Sequence, residues 1–140
     1  MTVLRRLAQG LGRGTTEPIR LLIADDEAQV RRVLRRTFEN DDRFMIVGEA
    51  HDGADAVDQV ASAKPDVLIL DLAMPNTNGM EAIPKVRQAS PDTKIVVFSN
   101  WAGFAEMGAK ANAEGAALVI DKFTPPRKLV KAVLRVADRT

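Results

Sequence analysis

The sequence predicts an α/β domain, a doubly wound parallel sheet of five strands with five helices. Two observations carry that reading. From Ile19 onward, short apolar runs alternate without exception with segments whose apolar residues recur at helical spacing. Right-handed crossovers between parallel strands place a helix between each pair, so strict alternation implies helices covering both faces of one sheet. At 140 residues the chain is long enough for a single packed core.

The elements follow in order. Ile19 to Ala24 is a short run of mostly Leu and Ile ending at Asp25-Asp26, a buried strand. Ala28 to Asn40 places Val30, Val33, Leu34 and Phe38 on one helix face and Arg31, Arg32, Arg35 and Arg36 on the other. Phe44 to Ala50 is the second strand, and Gly53 to Ala63 a helix stopped before Pro65. Asp66 to Leu70 is the third strand, followed by a loop containing Pro75, Asn76, Asn78 and Gly79. Met80 to Gln88 is helical, with Pro84 an awkward first-turn residue. Lys94 to Phe98 is the fourth strand, and Ala105 to Ala113 a weaker, Ala-rich helix closed by Gly115. Leu118 to Ile120 is the fifth strand. Thr124 reads as an N-cap with Pro125 at the first position of a last helix running to about Asp138.

The first eighteen residues read as a separate, flexible or loosely docked arm, leaving 19–140 as the folded domain. Three of the nine glycines fall there, and four arginines against Glu17 give Met1–Arg20 a charge of +3, so the rest carries −2 of the total +1. Val3, Leu4, Leu7 and Leu11 have helical spacing, which allows a short amphipathic turn.

Composition excludes several classes. Near-neutral charge argues against a nucleic-acid clamp. The absence of cysteine removes disulfides and thiolate chemistry and suits a reducing, cytoplasmic setting. One histidine, His51, is too few for a His-rich zinc site, makes a Ser-His-Asp hydrolase improbable, and reads as a surface loop residue. No apolar run approaches the roughly 20 residues of a membrane-spanning helix, and the Arg5-Arg6 pair lacks the apolar stretch of an export signal.

In open parallel sheets ligands bind beyond the carboxyl ends of the strands. Asp25 and Asp26 follow the first strand, Asp71 the third, Ser99 the fourth and Lys122 the fifth. Separately, each has an ordinary explanation as a cap, a turn residue or a surface lysine. Together they converge on one rim. The second strand, ending only in Glu49 and His51, reads as the edge. Carboxylates crowded this closely repel by roughly 4 kcal/mol per pair at 4 Å and an effective dielectric near 20, so a proton or a cation must relieve them. Oxygen-only ligands favour a hard ion such as Mg²⁺, which keeps coordination positions for water and phosphate oxygens. Lys122 could neutralise one phosphoryl oxygen, the Ser99 hydroxyl could bond another, and a central carboxylate could attack phosphorus.

Asp25-Asp26, the stretch Asp71-Leu72-Ala73-Met74-Pro75-Asn76-Thr77-Asn78-Gly79, Ser99 and Lys122 together resemble the receiver domain of two-component response regulators, over Ile19 to about Asp138. The resemblance implies flavodoxin-like strand order 2-1-3-4-5. It implies that Asp71 is the phosphoacceptor, supplied by a sensor histidine kinase or a histidine phosphotransfer protein. It implies Mg²⁺ ligated by Asp26, Asp71 and the Ala73 carbonyl, with Asp25 acting mainly through coordinated water. Ser99 and Lys122 would hold the phosphoryl oxygens, Ser99 by moving toward them, and the phosphorylated form would slowly hydrolyse itself. It also offers the first helix, with its arginines, as a docking face for the phosphodonor.

Three positions depart from the family pattern. Asn100 follows Ser99 where a small residue is usual, and the next residue, Trp101, is either a loop filler or a gate beside the pocket. Val119 stands where an aromatic ring often reports the active state. Phe123 follows Lys122 where proline is common. A haloacid-dehalogenase-type phosphohydrolase fails because its second aspartate would fall at Ala73, and no cap domain is visible. A nucleotide binder fails because Gly10-Leu11-Gly12-Arg13-Gly14 follows no strand. A phosphorylation-independent interaction module is disfavoured by the intact Asp, Ser and Lys set. For output the sequence leaves two readings: a stand-alone receiver, monomeric or dimerising on phosphorylation, that acts on a downstream protein, or the receiver portion of a longer DNA-binding regulator.

Overall fold

The computed structural model describes residues 17–74, 79–100 and 105–138. The N-terminal arm up to residue 16, the Pro75–Asn78 loop and Trp101 lie outside the described residues. The elements are β1 (Ile19–Ala24), α1 (Ala28–Glu39), β2 (Phe44–Ala50), α2 (Gly53–Ala63), β3 (Val67–Leu70), α3 (Gly79–Ala89), β4 (Lys94–Ser99), α4 (Ala105–Glu114), β5 (Leu118–Asp121) and α5 (Pro126–Val136). The strands are parallel in the order β2-β1-β3-β4-β5, as expected.

Alternation along the strands divides the core into two layers. Leu22, Ala24, Leu68, Leu70, Ile95 and Val97 face α2, α3 and α4, meeting Val60, Ile83, Val86 and Ala111. Ile19, Leu21, Ile23, Ile69, Val96 and Phe98 face α1 and α5, meeting Leu34, Phe38, Leu129 and Val133. The three inner strands are buried on both faces and therefore need unbroken apolar runs. At the edges β2 and β5 are mostly half-buried.

Three local expectations need correction. Val33 is 55% exposed, not part of the core face of α1. The buried stripe there is narrow, running through Leu34 and Phe38, because Arg31 and Arg35 occupy the flank toward β2. Pro84 lies in the second turn of α3, since the helix begins at Gly79. It is exposed, and it lacks the N–H that would otherwise donate to the Met80 carbonyl. The last helix is capped by Pro125 rather than Thr124 and starts at Pro126. Thr124 N–H is already committed to the Asp121 carbonyl at 2.9 Å, which holds it in the preceding turn. Gly115 does close α4: its φ is +120°, and Ala116 N–H reaches back to the Ala111 carbonyl at 2.9 Å.

Candidate phosphoryl-transfer site at the carboxyl ends of the strands

Parallel pairing brings the ends of β1, β3, β4 and β5 to one rim. Asp25 N–H donates to the Ala50 carbonyl and Asp71 N–H to the Ala24 carbonyl, both at 3.0 Å, so each aspartate is fixed by the strand beside it. Lys122 N–H reaches the Ser99 carbonyl at 3.3 Å. Asp25, Asp71 and Ser99 are buried, whereas Asp26 is exposed at the mouth. One carboxylate oxygen from each of Asp25, Asp26 and Asp71 lies within 4.8 Å of the others.

Lys122 joins this group from the end of β5. Its Nζ stands 2.8 Å from Asp25 Oδ2, 3.2 Å from Asp71 Oδ2 and 3.5 Å from Glu27 Oε1. Burial disfavours the lysine's charge, but the Asp25 and Asp71 carboxylates outweigh it and raise the pKa above the ordinary lysine value. Burial pushes the Asp25 carboxyl up, with the Asp71 charge adding to the rise, and the nearby Lys122 ammonium and the Glu27 N–H only partly oppose it.

Asp25 Oδ1 accepts from Glu27 N–H at 2.9 Å and Asp71 Oδ1 from Ala73 N–H at 3.1 Å. Asp25 Oδ2 is buried and lies outside the angular range of a hydrogen bond despite its closeness to the lysine. Two buried carboxylates, an exposed third and one underused buried oxygen form an oxygen-only donor set with a water-facing side. That set fits a hard divalent cation.

Neither Asp25 nor Asp26 caps α1: the N-cap is Glu27, whose side chain makes no capping bond and points instead to Lys122. The sequence reading missed Glu27 and placed Arg31 only among the arginines of a charged helix face. Their signal was available, since Glu27 adjoins the aspartate pair and Arg31 lies one turn further along the same helix. The arginine face of α1 is also not uniform. Arg31 and Arg35 are bound to Glu49 of β2, while Arg32 and Arg36 are exposed. His51 is exposed, beside Asp52 and Asp55, as expected of a loop residue.

Beside the rim, α1, β4 and α5 enclose a cleft of about 500 Å³ that reaches Lys122. Its lining includes two of the exposed large apolar side chains, Val33 and the 86% exposed Phe123. Phe123 N–H is held by Asp121 Oδ1 at 2.7 Å, a tight turn that carries the ring outward. Among the described residues no peptide bond is cis, that between Lys122 and Phe123 included.

The family model described as "Response regulator receiver domain" matches residues 21–134. The chain is similar to protein-glutamate methylesterase/protein-glutamine glutaminase 5 of Myxococcus xanthus, 36% identical over 76% of this chain and 31% of that protein. It is 38% identical to the transcriptional regulatory protein YhcZ of Bacillus subtilis, over 81% of this chain and 52% of that one. Among solved structures, the signal receiver domain of the putative response regulator NarL from Mycobacterium tuberculosis superimposes with a TM-score of 0.83 at 30% identity, covering 87% of this chain and 98% of the other. The response regulator domain of Thermotoga maritima CheB gives 0.82 at 28% identity, covering 88% and 98%. The chain spans about a third to a half of the length of these curated relatives. No helix among the described residues is long and apolar enough to cross a membrane.

Proposed function

The chain belongs to the response regulator receiver domain family of two-component systems, and from that premise we propose that Asp71 is its phosphoacceptor. The observation that carries the reading is the joint placement of Asp71 with two further carboxylates, oxygens within 4.8 Å of one another, and of Lys122 Nζ 3.2 Å from Asp71 Oδ2.

In the reaction a carboxylate oxygen of Asp71 attacks phosphorus of a phosphohistidine on a partner kinase or phosphotransfer protein. The phosphorus–nitrogen bond breaks, its electron pair stays on the imidazole, and an aspartyl phosphate results. Asp26, Asp71 and the Ala73 carbonyl would hold Mg²⁺, with Asp25 acting through water, and the bound ion would supply charge neutralisation of the phosphoryl oxygens. Lys122 leaves its carboxylate partners in part to meet a phosphoryl oxygen, and the buried Ser99 hydroxyl meets another. Glu27 stays behind as a counter-charge at the mouth. Catalysis then consists of placement and neutralisation.

In this reading the receiver unit is the segment from Ile19 onward, working in the cytoplasm through a downstream protein. The similarity to a methylesterase and to a transcriptional regulator, each longer than this chain, equally supports a receiver that governs an effector segment. The test of the acceptor is Asp71→Asn with a small-molecule phosphodonor and Mg²⁺. Labelling should disappear; labelling at the wild-type level would mean that another group accepts the phosphoryl.

A further inference from the structure

Asp25 and Asp26 stand on the turn between β1 and α1, where no strand ladder fixes the peptide that joins them. That peptide has its own restraint. The Asp25 carbonyl, which begins it, accepts a hydrogen bond from Arg31 Nη1 at 2.6 Å. Arg31 projects from the first full turn of α1 with its side chain only 21% exposed, and its Nε lies 3.4 Å from Glu49 Oε1 of β2. Glu49 is itself held by Arg35, whose Nε donates to it at 2.6 Å. The guanidinium is thus braced from behind by a carboxylate and grips the turn from the helix side.

We propose that Arg31 is a positioning residue for the divalent-ion site: by holding the Asp25 carbonyl it fixes the peptide plane from which the Asp26 carboxylate projects. This rests on the reading of the aspartate cluster as a Mg²⁺ site. Mg²⁺ demands near-octahedral geometry at 2.0–2.1 Å, so a turn free to tilt loses affinity even with every ligand present. Support of this kind is typically worth about 10–100-fold in metal affinity. Charge predicts the opposite sign. An arginine close to a dication opposes its binding, and removing that charge alone would tighten the site. The two accounts therefore separate on the direction of one measurement.

The experiment is calorimetric titration of the full chain with magnesium chloride, for wild type, Arg31→Met, Arg31→Lys and Glu49→Gln, with circular dichroism confirming that each is folded. Arg31→Met should weaken binding about ten-fold, and Arg31→Lys, which keeps the charge but loses the planar fork, by roughly three-fold. Glu49→Gln should stay within about two-fold, because it removes the brace and spares the grip on the carbonyl. Folded Arg31→Met that binds Mg²⁺ as well as or better than wild type overturns the inference. Should that variant fail to fold, undiminished binding by Arg31→Lys overturns it instead. Wild type that binds no Mg²⁺ defeats the metal-site reading itself, an outcome distinct from the failure of Arg31 alone.

Discussion

Lys122 Nζ lies 3.2 Å from Asp71 Oδ2 although 51 positions separate the two residues in sequence. Only the parallel order of β3, β4 and β5 makes that meeting possible, since it stacks their carboxyl ends at one height. The contact joins the residue proposed to accept the phosphoryl group to the residue proposed to neutralise it.

Lys122→Met tests how much the fold depends on that cation. The side chains of Asp25 and Asp71 are 2% and 3% exposed, so the substitution strands two carboxylates away from water. Breaking a buried ion pair by removing one partner costs about 3–5 kcal/mol. Proton uptake by the raised Asp25 carboxyl softens this, and a loss of about 3 kcal/mol is expected in urea denaturation at neutral pH without divalent ions. Added Mg²⁺ should restore more stability to the variant than it adds to wild type. An unchanged denaturation midpoint would mean that the lysine does not hold the cluster together.

The pH dependence of stability follows from the same groups. The Asp25 pKa is raised above 3.8 by burial, then by the Asp71 charge, so its contribution to stability is complete below that value and is lost as pH rises through the folded-state pKa. At neutral pH the buried charge is a net cost. Asp25→Asn should therefore raise the metal-free melting temperature at pH 7 by a few degrees, with the advantage shrinking as pH falls through the folded-state pKa and gone below 3.8. Lys122, raised above 10.5, stabilises below that pH and ceases to as pH climbs through its folded value. Wild type should lose stability in this alkaline range and Lys122→Met should not. Parallel melting curves for the two proteins across the alkaline range would contradict the lysine assignment.

The sequence carried the fold because its punctuation and its periods agree. Apolar runs such as Ile19–Ala24 and Val67–Leu70 are buried on both faces, and Pro65 and Gly115 end elements where their backbone preferences demand it. The site was legible for a topological reason: parallel strands put every residue just after a strand on one rim, so order along the chain sufficed. Side-chain partners set by helix rotation were not legible. One residue turns a helix by about 100°, and this separates the half-buried Arg35 from the exposed Arg36 and the buried Leu34 from the exposed Val33. Nothing in the sequence told which arginines would find Glu49 on a neighbouring strand.

Gly115→Ala is expected to destabilise the domain by about 1–2 kcal/mol. At φ +120° an L side chain is strained, and the added methyl would stand 3.0 Å from the Arg87 side chain. Arg87 can shift, so the backbone carries most of the cost. Thermal denaturation reads it directly, and a variant as stable as wild type would show that this turn relaxes to another conformation.

Donor docking should depend on the cleft between α1 and α5. A phosphohistidine can reach Asp71 only if its protein lies against the rim, and the cleft opens beside Lys122 with Val33 and Phe123 exposed along it. Arg32 and Arg36 on α1 and Arg127 and Lys128 on α5 are exposed nearby, so the complementary surface is an apolar stripe flanked by acidic residues. Phe123→Ser combined with Arg32→Glu and Arg36→Glu removes the apolar anchor and reverses the charge without disturbing the Arg31 and Arg35 contacts to Glu49. Transfer from the cognate kinase should slow by at least about ten-fold, corresponding to about 1.4 kcal/mol of lost binding. Labelling by a small phosphodonor, which needs no docking face, should continue at the wild-type rate. Equal slowing in both assays would place the damage at the acceptor itself, and equal retention would move the docking surface elsewhere on the molecule.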